Sequence, residues 1–227
     1  MPHSFFVKGF LPWAAKERLV RLLNEEQNGT VRLLNEDRTR KKVSLKKCLL
    51  GLAALIGQTE IVRVERKGID ENHVDGFVIA ISDSLLLLHL VDGSTLQLDG
   101  YSALRLRDIC SWRADETFIA RALRLFERRP VPPDGVSLAD WPSLIASAQQ
   151  REPLVMIETE KKAPGCGYIG LLVRQTKRYA VLKEVSPNGR WEEEETKFAF
   201  SDITQVEFGD GYTRTLAALV AHEAAAG

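Results

Sequence analysis

The sequence lacks an excess of either charge, paired cysteines and any long apolar run, and each absence removes a class of protein. Its 31 basic and 31 acidic side chains cancel, so no global field draws the chain onto nucleic acid or an anionic membrane. Cys48, Cys110 and Cys166 stand far apart with no paired spacing, which argues against a disulfide framework and against a zinc site. They read as packing residues in a reducing cytoplasm, except that Cys166, between two glycines in a turn, leaves its thiol open to solvent. The longest strongly apolar run, Leu85 to Val91, is interrupted by His89 and falls far short of the roughly 18 residues of a membrane span. It reads as a buried strand. MPHSFFVKGF at the start has no basic region followed by a long apolar stretch, so no export signal is expected and a cytoplasmic location is.

What is there is a repeat. Val43-Ser44-Leu45 recurs as Val136-Ser137-Leu138, each opening an apolar, helix-spaced segment; Ser44 and Ser137 are the expected N-caps. Seventeen residues after each serine begins an alternating run, IVRVER from Ile61 and LVMIETE from Leu154, the period-2 signal of a half-buried strand. Asp75-Gly76-Phe77 matches Cys166-Gly167-Tyr168, opening second strands FVIAIS and YIGLLV. Third strands follow, LLLLHLV from Leu85 and RYAVLKEV from Arg178. Asp92-Gly93 and Asn188-Gly189 then supply hairpin turns with positive backbone angles. The pairs Asp108-Ile109 and Asp202-Ile203 are placed in a last strand, and ten residues after each aspartate Phe118 or Tyr212 lies on a closing helix. From glycine to aspartate the copies span 32 and 35 residues, which implies about three inserted residues near Arg190–Glu195.

Each copy therefore reads helix, five strands, helix. Five short strands in so few residues bury one face most economically as a small bent barrel. The expected fold is mainly β with flanking helices (α+β): an N-terminal strand-helix-strand extension (1–42), a first barrel unit (43–129), a stiff Pro-rich linker (130–135) and a second barrel unit (136–227). In the extension, FFVKGF and TVRLLN are the strands and Trp13 to Glu26 the amphipathic helix. It is expected to cover an edge or end of the first barrel.

Helix-then-five-strands resembles the Sm-like family of small barrels, the fold of RNA-binding ring proteins. The two copies together are similar to uncharacterised bacterial tandem proteins carrying the pattern found here as Gly76-Phe77, Leu85–His89, Leu98-Asp99-Gly100-Tyr101 and Arg107-Asp108-Ile109. The resemblance spans residues 43–220 and implies the fold. It does not carry the Sm RNA pocket: Asp83 is one position out of step, Leu86 stands where an asparagine belongs, Val173 and Lys177 occupy the second copy's places, and no Arg-Gly pair exists.

The chemical motifs are weak. Gly165-Cys166-Gly167-Tyr168-Ile169-Gly170 matches G-x-G-x-x-G, but a dinucleotide site needs a helix to follow and a strand does. Ala180–Lys183 mimics the kinase lysine strand without the kinase catalytic loops. His3, His73, His89 and His222 are scattered; His89 is expected to face outward or to meet a backbone carbonyl. Asp70, Glu71, Asn72, His73 and Asp75 form a solvated loop without a calcium-loop pattern. Glu192–Glu195 read as a charged edge that discourages strand addition.

No catalytic residue, metal ligand or cofactor site is expected. The feature that points to a partner is basic: Arg38, Arg40, Lys41, Lys42, Lys46 and Lys47, suited to phosphates but without the aromatic interleaving of single-strand binders. The leading expectation is a non-enzymatic interaction or assembly module whose partner is another protein or a second copy. RNA binding through the barrel loops and basic cluster is the alternative, and an enzyme without a recognisable motif the third. No membrane partner is expected.

Overall fold

Successive side chains leave a strand on opposite faces, so a half-buried strand alternates apolar and polar residues while one buried on both faces is apolar throughout; among the described residues ten strands form the sheet. The computed structural model describes residues 48–66, 68–69 and 73–226; Ser44 and the extension 1–42, with its expected cover over the first barrel, lie outside the described residues. Residues 48–54 are helical (α1). Then come β1 (Ile61–Glu65), β2 (His73–Ile81), β3 (Leu85–Asp92), β4 (Gln97–Arg105), a 3-10 turn (Leu106–Asp108), β5 (Ser111–Ala114) and α2 (Phe118–Leu125). The second half runs α3 (Trp141–Gln149), β6 (Val155–Glu158), β7 (Gly167–Gln175), β8 (Tyr179–Val185), β9 (Trp191–Ala199), β10 (Gln205–Phe208) and α4 (Gly211–Ala226). The protein is mainly β with flanking helices. No helix among the described residues is long and apolar enough to cross a membrane.

Strand order is β5-β1-β2-β3-β4 in the first half and β10-β6-β7-β8-β9 in the second. Even the irregularities recur. The register shift between Val78 and Ala80 returns between Leu172 and Arg174, and that between His89 and Val91 returns between Lys183 and Val185. From β2 onward each strand start reappears 94 residues later: His73 as Gly167, Leu85 as Tyr179, Gln97 as Trp191, Ser111 as Gln205. The first strand reappears after 93, since Val62 faces Gly76 and Val155 faces Gly170.

That register corrects the sequence alignment. One residue, not three, separates the copies, and it lies between the first and second strands rather than near Arg190–Glu195. Gly76 corresponds to Gly170, not Gly167. A Cβ on Gly76 would sit 2.6 Å from the carbonyl oxygen of His89, and one on Gly170 would meet the Lys183 carbonyl oxygen as closely. At both glycines the backbone of the neighbouring strand lies where a side chain would begin, while a Cβ on Gly167 would meet first the movable Met156 side chain.

Two separately closed barrels are not formed. The outer edge of β4 is taken by β10, with Tyr101–Leu104 opposite Phe208–Gln205, so the ten strands make one open sheet. The apolar interior is shared as well. The largest core joins Ile79, Leu85, Leu87 and Ala103 to Val155, Ile157, Leu182, Phe198, Val206 and Phe208, beneath Trp141, Leu144 and Ile145 of α3. A second core gathers Val62, Val64, Val78, Leu86, Leu88 and Leu104 around Leu52 of α1. Thus β3 is buried on both faces, Leu85 and Leu87 to one core and Leu86 and Leu88 to the other, which is why its sequence reads as a continuous leucine run. Helices α2 and α4 cover two smaller clusters.

Three local expectations also change. Asp140, not Ser137, caps α3 by accepting from the Ser143 amide at 2.9 Å, while Ser137 donates its own amide to Ser147 Oγ. Asp108 and Asp202 lie in turns before the last strands rather than within them. Gly189 takes the positive φ expected of it (75°), but in the first hairpin Leu96 does so (56°) and Gly93 does not.

Candidate functional site

The β4·β10 seam carries a connected set of specific contacts. Gly100 has φ 73°, and a Cβ there would sit 2.6 Å from the Asp210 amide nitrogen, so only glycine lets α4 approach β4 this closely. Next to it, Asp99 Oδ1 accepts from the Gly211 amide at 2.7 Å, an anion placed at the positive end of α4. The Tyr101 ring stacks between His89 (centroids 4.4 Å apart) and Phe208 (5.3 Å). Its hydroxyl donates to the Val131 carbonyl at 2.8 Å, and the Val131 amide donates to His89 Nδ1 at 3.2 Å. His89 is therefore buried and accepts from a backbone amide, neither outward-facing nor bound to a carbonyl. Burial pushes its pKa down to about 4, which keeps the ring a neutral acceptor.

Charges also cross between the halves. Arg66 grips Glu160 through two 2.8 Å bonds, and both side chains are buried. The Arg105 guanidinium holds Asp108 and donates to the Ser201 carbonyl at 2.8 Å, while Lys161 reaches the other Asp108 oxygen at 2.9 Å. On adjacent strands, burial raises Glu158 to about 8, helped by the charges of Glu207 and Glu160, and raises Glu207 to about 7. Raised carboxyl groups mark either a general acid or a buried structural pair. Neither lines the cleft described next; Glu207 lies on β10, and Glu158 on β6 faces Gln205 of the same strand.

A cleft of about 540 Å³ opens at one end of the sheet, between loops of both halves. Asp83 and Ser84 come from the β2–β3 turn, Arg105 and Arg107 from the end of β4 and its 3-10 turn, Asp140 and Trp141 from the start of α3, and Lys177 and Phe200 from second-half turns. Arg107 and Lys177 are exposed at its rim.

Comparisons with protein-family models, curated proteins and solved structures find no match. The assignment therefore rests on geometry.

The basic cluster Arg38, Arg40, Lys41, Lys42, Lys46 and Lys47 lies outside the described residues, as do Asp70, Glu71 and Asn72. Asp75 is taken by Arg63 in a two-bond pair at 3.0 and 2.7 Å. The G-x-G-x-x-G run enters β7 directly, without the helix a dinucleotide would need. Lys183 donates to the Glu193 carbonyl. Cys166 is exposed as expected, but so is Cys110, whose thiol donates to the Glu65 carbonyl rather than packing in a core. Among the described residues, no group of three or more His, Cys, Asp or Glu side chains could hold a metal ion.

Glu192–Glu195 are exposed on β9, the terminal strand of the sheet. At the other end lies β5, and among the described residues no strand pairs beyond it. The seam residues were in plain view as Leu98-Asp99-Gly100-Tyr101, but nothing in that string says which strand will lie against it. The buried Arg66–Glu160 pair had no sequence signal at all.

Proposed function

We propose that this chain is an interaction and assembly module that works through its two terminal strand edges, not an enzyme. One observation carries the reading: among the described residues the sheet is open, with β5 at one end and β9 at the other, and an open edge offers a row of backbone donors and acceptors to an added strand. The seam supports it, because there a strand edge of one half is satisfied by a strand of the other. The Sm-like resemblance points the same way, with each half an Sm-like unit left open where it meets its neighbour. Light scattering on the purified protein, with copurification from its host, tests the reading. Defined oligomers or a stoichiometric protein partner are expected; a strict monomer with no partner overturns it.

RNA binding is the second reading, favoured by the cleft between loops of both halves with Arg107 and Lys177 at its mouth. It requires short oligonucleotides to bind at low salt and to be released as salt rises. Replacing Arg38, Arg40, Lys41 and Lys42 by Ala should weaken that binding, and no binding at low salt removes the reading.

A further inference from the structure

Helix α2 presents exposed apolar side chains set among arginines, and we propose that this surface docks on an anionic lipid bilayer. The fold uses one face of α2: Ala120 and Leu123 are buried against Ile61 and Phe77, with Ile119 packed beside them. Phe118 and Leu125 share another face with Arg121, at the spacing of whole helical turns, and are 72% and 77% exposed. Phe126 follows at 59% and Val131 at 58%. The four most exposed large apolar side chains among the described residues thus fall between Phe118 and Val131. Side chains this exposed touch little of their own protein. They are tips rather than the walls of a groove, and none of them lines the cleft. The backbone holds them in place. At the head of the helix Asp115 accepts from the Thr117 amide at 3.1 Å and its hydroxyl at 2.8 Å. At the tail Glu127 takes φ 52°, the Arg128 amide donates to the Leu123 carbonyl at 2.9 Å, and the Glu127 amide to the Arg124 carbonyl at 3.1 Å. This is the left-handed cap that normally uses glycine, and it turns Arg128 back against the last turn of α2.

Charge names the occupant. Between Phe118 and Val131 stand Arg121, Arg124, Arg128 and Arg129 against Glu127 alone, all of them exposed. Arg124 lies 3.7 Å from Glu60, and the other three form no ion pair among the described residues. The balance of charge over the whole chain conceals this local excess. A bilayer takes both parts of the surface at once: the apolar tips enter the boundary between headgroups and acyl chains, and the guanidinium groups meet lipid phosphates. It also asks for no matching shape, which suits tips without a groove. A nucleic acid would want flat rings for its bases, yet Leu125 and Val131 are aliphatic. The repeat supplies a contrast within the same molecule. In α4, Tyr212 and Leu219 stand where Phe118 and Leu125 do and are also exposed, but Thr215, Ala218, His222 and Glu223 take the places of the four arginines. The basic surround therefore belongs to α2 alone.

Vesicle flotation with the full chain tests this. Vesicles of phosphatidylglycerol and phosphatidylcholine in equal parts should carry the protein up the gradient, pure phosphatidylcholine vesicles should not, and added salt should release it. Leu125→Gln with Phe126→Gln should abolish the binding. Arg121→Gln and Arg128→Gln should each lower the partition coefficient about fivefold, the worth of one basic side chain at an anionic surface. All four changes are at exposed positions, so each variant should keep the wild-type midpoint in urea. No flotation with the mixed vesicles at low salt overturns the proposal. So does flotation that survives the loss of Leu125 and Phe126, the result expected if the basic residues between 38 and 47 act instead. A short oligonucleotide in place of the vesicles is the remaining arm: if Arg121 and Arg128 are needed to hold it while the vesicles stay unbound, the surface serves nucleic acid and the bilayer proposal falls. Strand-edge assembly stands or falls separately, by light scattering.

Discussion

Tyr101 and Val131 are joined by a 2.8 Å hydrogen bond from phenol to carbonyl, and that bond fastens the linker to the seam. Val131 lies between two prolines, which have no amide hydrogen to give; its own amide goes to His89 and its carbonyl to Tyr101. The linker is held by one residue against the two rings that flank the β4·β10 contact. Tyr101→Phe should cost about 1 kcal/mol, the usual worth of one hydrogen bond. Tyr101→Ala also removes the stack on His89 and Phe208 and should cost about 3 kcal/mol. Urea unfolding of the two variants measures both, and equal losses would mean that the ring stack contributes nothing.

The corrected repeat register is testable with three glycines. Gly76→Ala and Gly170→Ala each force a Cβ onto a neighbouring carbonyl oxygen, an overpacking that should cost about 1–3 kcal/mol or more, since backbone cannot step aside as a side chain can. Gly167→Ala meets first the Met156 thioether, which can rotate away, so that variant should lose well under 1 kcal/mol. If Gly167→Ala were the damaging change and Gly170→Ala the silent one, the pairing of Gly76 with Gly170 would be wrong.

That register also shows how far a sequence can be read. Two sets of five strands were legible from the repeat itself and from alternating runs such as IVRVER, and the LLLL of β3 announced its burial outright. The choice between Gly167 and Gly170 was not, because both precede an apolar run and only the close approach of the His89 and Lys183 carbonyls tells them apart. Closure was misjudged for a related reason. A five-stranded unit must satisfy the edge of its fourth strand, and composition cannot say whether its own fifth strand or a neighbour's will do so; Asp99, Gly100 and Asp210 decide for the neighbour. Half-buried carboxyl groups such as Glu158 and Glu207 sit in ordinary alternating strings, so their environment is known only once β4, β10 and β6 are side by side.

Two groups of titrations pull stability in opposite directions. Glu158 and Glu207 are raised from the ordinary carboxylate value to about 8 and about 7 by burial. The folded chain therefore holds protons that the unfolded chain releases, and stability is full below about pH 4.5 and lost as pH rises through 7 to 8. His89 is lowered from 6.5 to about 4 by burial, so its contribution is full above pH 6.5 and lost as pH falls toward 4. Between pH 4.5 and 6.5 the two partly cancel, and the variants must separate them. Glu207→Gln should flatten the alkaline decline, and His89→Gln, which keeps an acceptor for the Val131 amide, should flatten the acid one. Unfolding free energies measured from pH 4 to 9 check both; a wild-type profile retained by either variant excludes that residue.

Arg66 and Glu160 form the seam's most deeply buried ion pair, each following the first strand of its own half and each nearly inaccessible to solvent. Taking two charges out of water costs about as much as their attraction returns, so the intact pair adds little net stability. Its consequence appears when one partner is removed. Glu160→Gln removes the carboxylate charge that accepts both 2.8 Å bonds from the buried guanidinium and should cost about 3–5 kcal/mol, whereas Arg66→Met with Glu160→Leu removes both charges and should recover most of that loss. The double variant also separates stability from pairing specificity: if the charges serve only to align the halves, it should unfold at wild-type urea concentrations yet show weaker protection of the β4·β10 amides in hydrogen exchange. Full protection would mean that the strand ladder, Asp99 and Tyr101 hold the seam by themselves.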